Sequence, residues 1–160
     1  MRKSYTIRSY TAEDIPEIIE CAKTMTQKPR QGQLPRFSAI AFNEEKVYNK
    51  LVYYEKNAQF FTSLVIDTDN KIIGVLSALI CEYFFSDERL AADQFFFFDE
   101  ERTNVSALKD LIKSYVDWAK EHEVREALLR TSSGYKLDKF AVLMKRLNFS
   151  QFEAGFSKEF

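Results

Sequence analysis

The chain has a single histidine, His122, among its 160 residues. One imidazole cannot build a histidine-rich metal centre, and it leaves no spare part for a Ser-His-Asp triad. Cysteine is nearly as scarce. Cys21 and Cys81 lie far apart and in no C-x-x-C pattern. They read as buried thiols of a reducing compartment rather than a disulfide framework or a zinc site. An excess of charge of one sign is also missing. The formal net charge of −1 argues against the basic footprint of a nucleic-acid binder. No apolar run reaches the roughly 20 residues that a bilayer-spanning helix needs. The longest covers residues 72–81. The opening Met1-Arg2-Lys3-Ser4-Tyr5 is basic, but no apolar stretch follows it. The expectation is therefore no signal peptide, no membrane and a cytoplasmic protein.

What the chain does have is the balance of a globular domain, with 46% hydrophobic and 29% charged residues. A chain of this length buries roughly two-thirds of its unfolded surface, so it folds without staples. The expectation is one domain over residues 1–160. Residues 5–8 are β-prone. Thr11 to Asp14 resembles a capping box, and Ile15, Ile18, Ile19, Ala22 and Met25 follow at helical spacing. A helix over 12–26 is expected. Residues 27–42 hold Pro29, Gly32 and Pro35 and read as a long loop. Asn43 with Glu44 and Glu45 then opens a second helix.

Residues 60–66 and 72–83 read as a hairpin around the turn chemistry of Asp67, Asp69 and Asn70. A strand over 92–98 is exceptionally aromatic. From Asn104 an amphipathic helix runs to about Glu121, with Leu108, Leu111, Ile112, Tyr115 and Trp118 on its apolar side. A strand over 126–130, a turn at Gly134, a helix carrying Leu137, Phe140, Met144 and Leu147, and short strands at 149–152 and 156–160 close the chain. The order is β-α-α-β-β-β-α-β-α-β-β, an α/β domain with a mixed central sheet flanked by helices.

The most specific segment runs from Phe95-Phe96-Phe97-Phe98 through Asp99-Glu100-Glu101 to Arg102-Thr103-Asn104-Val105-Ser106-Ala107. It resembles the strand, acidic turn and Gln/Arg-x-x-Gly-x-Gly/Ala loop of the GNAT superfamily of N-acetyltransferases. Arg102 and Ala107 match the ends of that loop; Val105 stands at its first glycine. Residues 138–149 resemble the family's Asn-x-x-Ala-x-x-x-Tyr-x-x-x-Gly-Phe. Ala141 and Phe149 match, while Asp138 replaces Asn, Met144 replaces Tyr and Asn148 replaces Gly. Asparagine suits a left-handed helix end.

The resemblance implies acetyl-coenzyme A as acetyl donor and no metal. The pyrophosphate would meet main-chain N–H groups over Thr103, Asn104, Val105, Ser106 and Ala107, where a helix N-terminus favours anions. Arg102 and Asp138 complete the cofactor set. The family's strand pairs with pantetheine, and an N–H of Phe97 or Phe98 would contact the thioester carbonyl. The acceptor is expected to be a small-molecule amine or a protein amino group.

For catalysis a carboxylate should take the amine proton. Asp93 is the candidate, read by two-residue alternation as sharing a strand face with Phe95 and Phe97. Glu82 is a weaker one. Tyr135 or Tyr83 would stand in for the tyrosine that Met144 replaces. His122 reads as a helix-end cation. Divergent GNAT-like proteins of bacteriophages look similar, and a catalytically inert binding module is the alternative. A homodimer is compatible with either.

Overall fold

The computed structural model describes residues 4–27, 40–99, 101–130 and 137–151. Five strands form one sheet in the order β1-β2-β3-β4-β5: β1 (Tyr5–Ser9), β2 (Phe60–Asp67), β3 (Ile72–Tyr83), β4 (Ser86–Phe98) and β5 (Glu126–Leu128). Neighbours from β1 to β4 run antiparallel, and β5 lies parallel to β4. The helices are α1 (Ile15–Gln27), α2 (Glu44–Glu55), α3 (Val105–Glu121) and α4 (Leu137–Arg146).

Helical periodicity decides which face each helix covers. Ile15, Ile18, Ile19 and Cys21 of α1 and Leu51 of α2 pack with Leu64, Val75 and Phe97 on one face of the sheet. Leu111, Tyr115 and Ala119 of α3 pack with Val65, Leu76, Ala78 and Ala91 on the other. Gly74 makes room for the Val65 side chain of the neighbouring strand. A Cβ there would sit 2.9 Å from Val65 Cγ2 and 3.6 Å from Leu111 Cδ2. Through Leu143 and Met144, α4 joins Ile112 of α3.

The helix ends follow local chemistry. Asn43 caps α2 by accepting from Lys46 N, and Asn104 caps α3 by accepting from Ala107 N. At the end of α4, Asn148 has φ 62°, Asn148 N donates to Lys145 O and Phe149 N to Met144 O. This is a Schellman closure, so Asn148 serves where the resemblance has glycine. His122 closes α3, its ring 5.0 Å from that of Trp118. The helix expected over 12–26 is a 3-10 turn, Ala12–Asp14, running into α1.

Two expectations about strands need correcting. β4 begins at Ser86 rather than at 92, because residues 86–89, though polar, pair with the far end of β3. Residues 149–151 form no strand; Phe149 is turned back onto α4 by its bond to Met144 O. The expected strand over 156–160 and most of the expected 27–42 loop lie outside the described residues.

Candidate active site

The sheet opens beside β4. β5 pairs with it only at Leu90, Ala91 and Ala92, opposite Glu126, Ala127 and Leu128. Past Ala92, β4 runs on to Phe98 with no strand on that side among the described residues. Its other side stays paired with β3. Asp99 N donates to Ile73 O at 2.8 Å, so its amide points towards β3. Alternation then turns the Phe97 amide towards β3 as well, and those of Phe96 and Phe98 towards the opening. Of the two amides expected at the thioester, Phe98 has the required direction.

A β-bulge shapes the strand at this point. Ala78 pairs with Asp93 and Ser77 with Phe95, which leaves Gln94 as the extra residue. The bulge breaks the two-residue alternation. Phe95 and Phe97 lie against the α1/α2 core, whereas Asp93 pairs with Ala78 and shares the face of α3. The expectation that Asp93 shares a face with Phe95 and Phe97 is therefore overturned. Gln94 is exposed on the α2 side, where its Oε1 accepts from Tyr54 OH at 2.6 Å, and the Tyr54 ring stacks on Phe60 at 3.9 Å.

Asp93 is only 8% exposed and is the one buried charged residue among the described residues. Its Oδ1 accepts from Arg130 N at 3.0 Å and from Arg130 Nε at 3.2 Å, and its carbonyl accepts from Arg130 NH2 at 2.9 Å. Burial pushes its pKa up, and the charge and hydrogen bonds of Arg130 offset part of that rise. Sequence reasoning assigned Arg130 no role, because the partnership depends on where β5 leaves β4.

The loop that follows β4 is anchored by its own side chains. Arg102 pairs with Asp67 at the end of β2, at 2.8 Å, and with Asp69 in the turn that follows, at 3.2 Å. Thr103 Oγ1 donates to Ile73 O at 2.7 Å, and Thr103 N donates to Asp99 O. Tyr5 OH bonds to Ser106 Oγ at 3.0 Å and to Asp110 at 2.8 Å. Because Asn104 takes the Ala107 N–H, the helix's first turn presents the N–H groups of Val105 and Ser106, which have no intrahelical acceptor. The Val105 side chain is 59% exposed and does not crowd the loop.

Other expected positions lie elsewhere. Met144 is buried against Ile112 and Leu143, with Phe96 packed alongside. Tyr83 and Glu82 sit at the hairpin end of β3, opposite Ser86 and Arg89, with Tyr83 OH bonded to Glu126. That end is roughly 25 Å along β3 from Val75, the partner of Phe97, at about 3.3 Å per residue. Asp138 opens α4. Tyr135 lies outside the described residues.

The combination of a sheet that parts beside a bulged central strand and a helix that starts at the end of that strand identifies the architecture. The chain has the GNAT fold. It resembles glucosamine-6-phosphate N-acetyltransferase from Arabidopsis thaliana at TM-score 0.71 and 14% identity, covering 99% of each chain. An aminoglycoside 6'-N-acetyltransferase from Acinetobacter baumannii matches at 0.69 and 14%, covering 98% of this chain and 99% of that one. A transcriptional regulator from Bacillus halodurans matches at 0.73 and 15%, with the same coverage. No family model and no curated protein matches the sequence. A GNAT fold can carry different functions, so the function has to be argued from the site.

Proposed function

We propose that the protein is an acetyl-coenzyme A-dependent N-acetyltransferase acting on a small-molecule amine or a protein amino group. The observation behind this reading is the open edge of β4, which leads directly into the N-terminus of α3. An extended pantetheine arm needs a strand edge to pair with, and a pyrophosphate needs uncommitted amides in a positive field. Phe98 would supply the first, and Val105 and Ser106 the second. Arg102 would hold the loop in place through Asp67 and Asp69 rather than touch phosphate. Acetyl-coenzyme A brings the activated thioester; the chain's own residues bind it, orient it and accept a proton.

Asp93 is the proposed proton acceptor. Its raised pKa makes the carboxylate a stronger base than an exposed aspartate, and Oδ2 is not among the atoms that bond Arg130. With Met144 buried in the tyrosine position, the thiolate would leave with help from Tyr135 or from water.

A second reading, an inert GNAT-fold module, draws support from Asn104. Its carbonyl oxygen occupies one helix donor that a phosphate would otherwise use. Titration with acetyl-coenzyme A separates the two, together with mass spectrometry of amines and peptides incubated with protein and cofactor. Heat, a raised melting temperature and acetylated product are the expected results. Binding without any product would favour the inert module, and the absence of heat and thermal shift at millimolar ligand would sink the cofactor reading.

A further inference from the structure

At the end of the sheet away from the opening, the β3–β4 hairpin carries two phenylalanines at its tip. Phe84 is 105% exposed and Phe85 84%, the two most exposed large apolar side chains of the described residues. Such rings are normally buried, and a pair standing out from a turn is an unpartnered apolar knob. Tyr83 extends it, with its ring 5.7 Å from that of Phe85. Immediately beside the knob is a hollow lined by Asp87, Glu88, Arg89, Glu123 and Arg125. Arg125 and Glu88 pair loosely at 3.3 Å across it, and both are more than half exposed.

We propose that this end of the molecule is a two-fold interface with a second copy of the chain, in which the Phe84–Phe85 knob of each copy seats over the arginines in the hollow of the other. The argument is self-complementarity. A two-fold contact brings the same patch of both copies together, so a knob must lie beside the hollow it will fill. Here they are adjacent in sequence and in space. The hollow carries both signs of charge, three acids and two arginines, so Glu88 of one copy can meet Arg125 of the other. Arginine faces also suit aromatic rings through cation–π contact. An anionic lipid surface fits poorly, because Asp87 and Glu88 directly follow the aromatic tip and would be repelled.

The contact is small. Four phenylalanine rings at roughly 150–200 Å² each supply about half of the area that a specific interface buries. The dimer should therefore form in the micromolar range. It leaves the β4 opening and the α3 N-terminus clear, and so does not depend on the acetyltransfer reading.

Sedimentation velocity from roughly 1 to 500 µM protein, the span around a micromolar dissociation constant, tests the proposal. Wild type should shift from the mass of one chain towards that of two. Phe84→Ser with Phe85→Ser should remain a single chain throughout with an unchanged melting temperature, since neither ring touches the core. Glu88→Arg and Arg125→Glu should each dimerise at least tenfold more weakly, and an equimolar mixture of the two should recover mixed dimers. A wild type that stays monomeric at the highest concentration overturns the interface. So does a dimer that survives loss of both phenylalanines, and a mixture that stays monomeric overturns the seating of Glu88 against Arg125.

Discussion

Asp93 on β4 and Arg130 just beyond β5 are joined by both main chain and side chain, one and two residues respectively past the last paired position of the two strands. The pair thus marks the point where the sheet opens. Replacing Asp93 by alanine would remove the acceptor of the part-buried bond from Arg130 N–H, and should cost about 1 kcal/mol in chemical denaturation. Asparagine keeps an acceptor oxygen but not the basicity. Asp93→Asn should therefore fold normally and bind acetyl-coenzyme A as wild type does, while turnover with an identified amine falls about a hundredfold to ten-thousandfold. Wild-type turnover in that variant would reduce Asp93 to an anchor for Arg130.

Acid stability depends on a different aspartate. Hydrogen bonding to Arg8, at 2.7 and 2.8 Å, lowers the Asp14 pKa from 3.8 to about 2. A carboxyl with a depressed folded pKa contributes stability above its unfolded value and loses it as pH falls through the folded one. The window here is pH 4 down to 2. Because Arg8 is partly exposed and screened, the contribution should be on the order of 1 kcal/mol. Unfolding of wild type and Asp14→Asn should differ by that amount at pH 5 and converge near pH 2. Asp93 has the opposite sign. Its raised pKa favours the folded state at low pH, and that advantage fades as pH rises through the raised value. Asp93→Asn should accordingly gain on wild type as pH climbs.

The α3 N-terminus invites a pair of substitutions with opposite effects. Asn104→Ala removes the cap on Ala107 N and should cost about 1 kcal/mol in stability. In the acetyltransferase reading it also frees an amide for phosphate, so affinity for coenzyme A should hold or rise while the melting temperature falls. Val105→Gly should cost little packing, because the side chain is exposed. It should tighten binding if close main-chain approach is what the loop lacks. Calorimetry on both variants would show whether affinity and stability separate in this way. Parallel losses of both in Asn104→Ala would mean that the loop only caps its helix.

The parts of this fold that were legible in the sequence are those set by local chemistry. Asn43 and Asn104 could be assigned as helix starts from their neighbours, Asn148 as a helix end from the resemblance that sets it at a glycine position, and the apolar stripe of α3 announced the face that packs on Leu76 and Ala91. The bulge at Gln94 was not legible. No residue type marks it, and it exists because Ser77 and Ala78 face Phe95 and Asp93 with one residue to spare. That single extra residue moved Asp93 to the α3 face. The ion pairs of Arg102 were not legible for a similar reason: its carboxylate partners, Asp67 and Asp69, are far away in sequence and only sheet pairing brings them close. The start of β4 was missed because Ser86, Asp87, Glu88 and Arg89 are all polar and none is buried, so they show no apolar alternation to read.

The two cysteines bear on how the acetyl group would move. Cys21 is buried in the α1 core among Ile18, Leu51 and Leu64, and burial pushes its pKa up to about 12. A thiol so protonated is a poor nucleophile, since attack needs the thiolate. Cys81 sits on β3 opposite Leu90, on the hairpin side of the last β4–β5 pairs and away from the opening. The acetyl group should therefore pass directly from the thioester to the amine. Intact-mass spectrometry after incubation with acetyl-coenzyme A alone should show no stable acetyl adduct on either cysteine. Cys81→Ala should keep full turnover. Cys21→Ala should lose about 1 kcal/mol of stability to the small cavity it leaves, with turnover retained in the folded fraction. Acetylation of Cys21 or Cys81, abolished together with turnover by the matching alanine, would replace direct transfer with a covalent route.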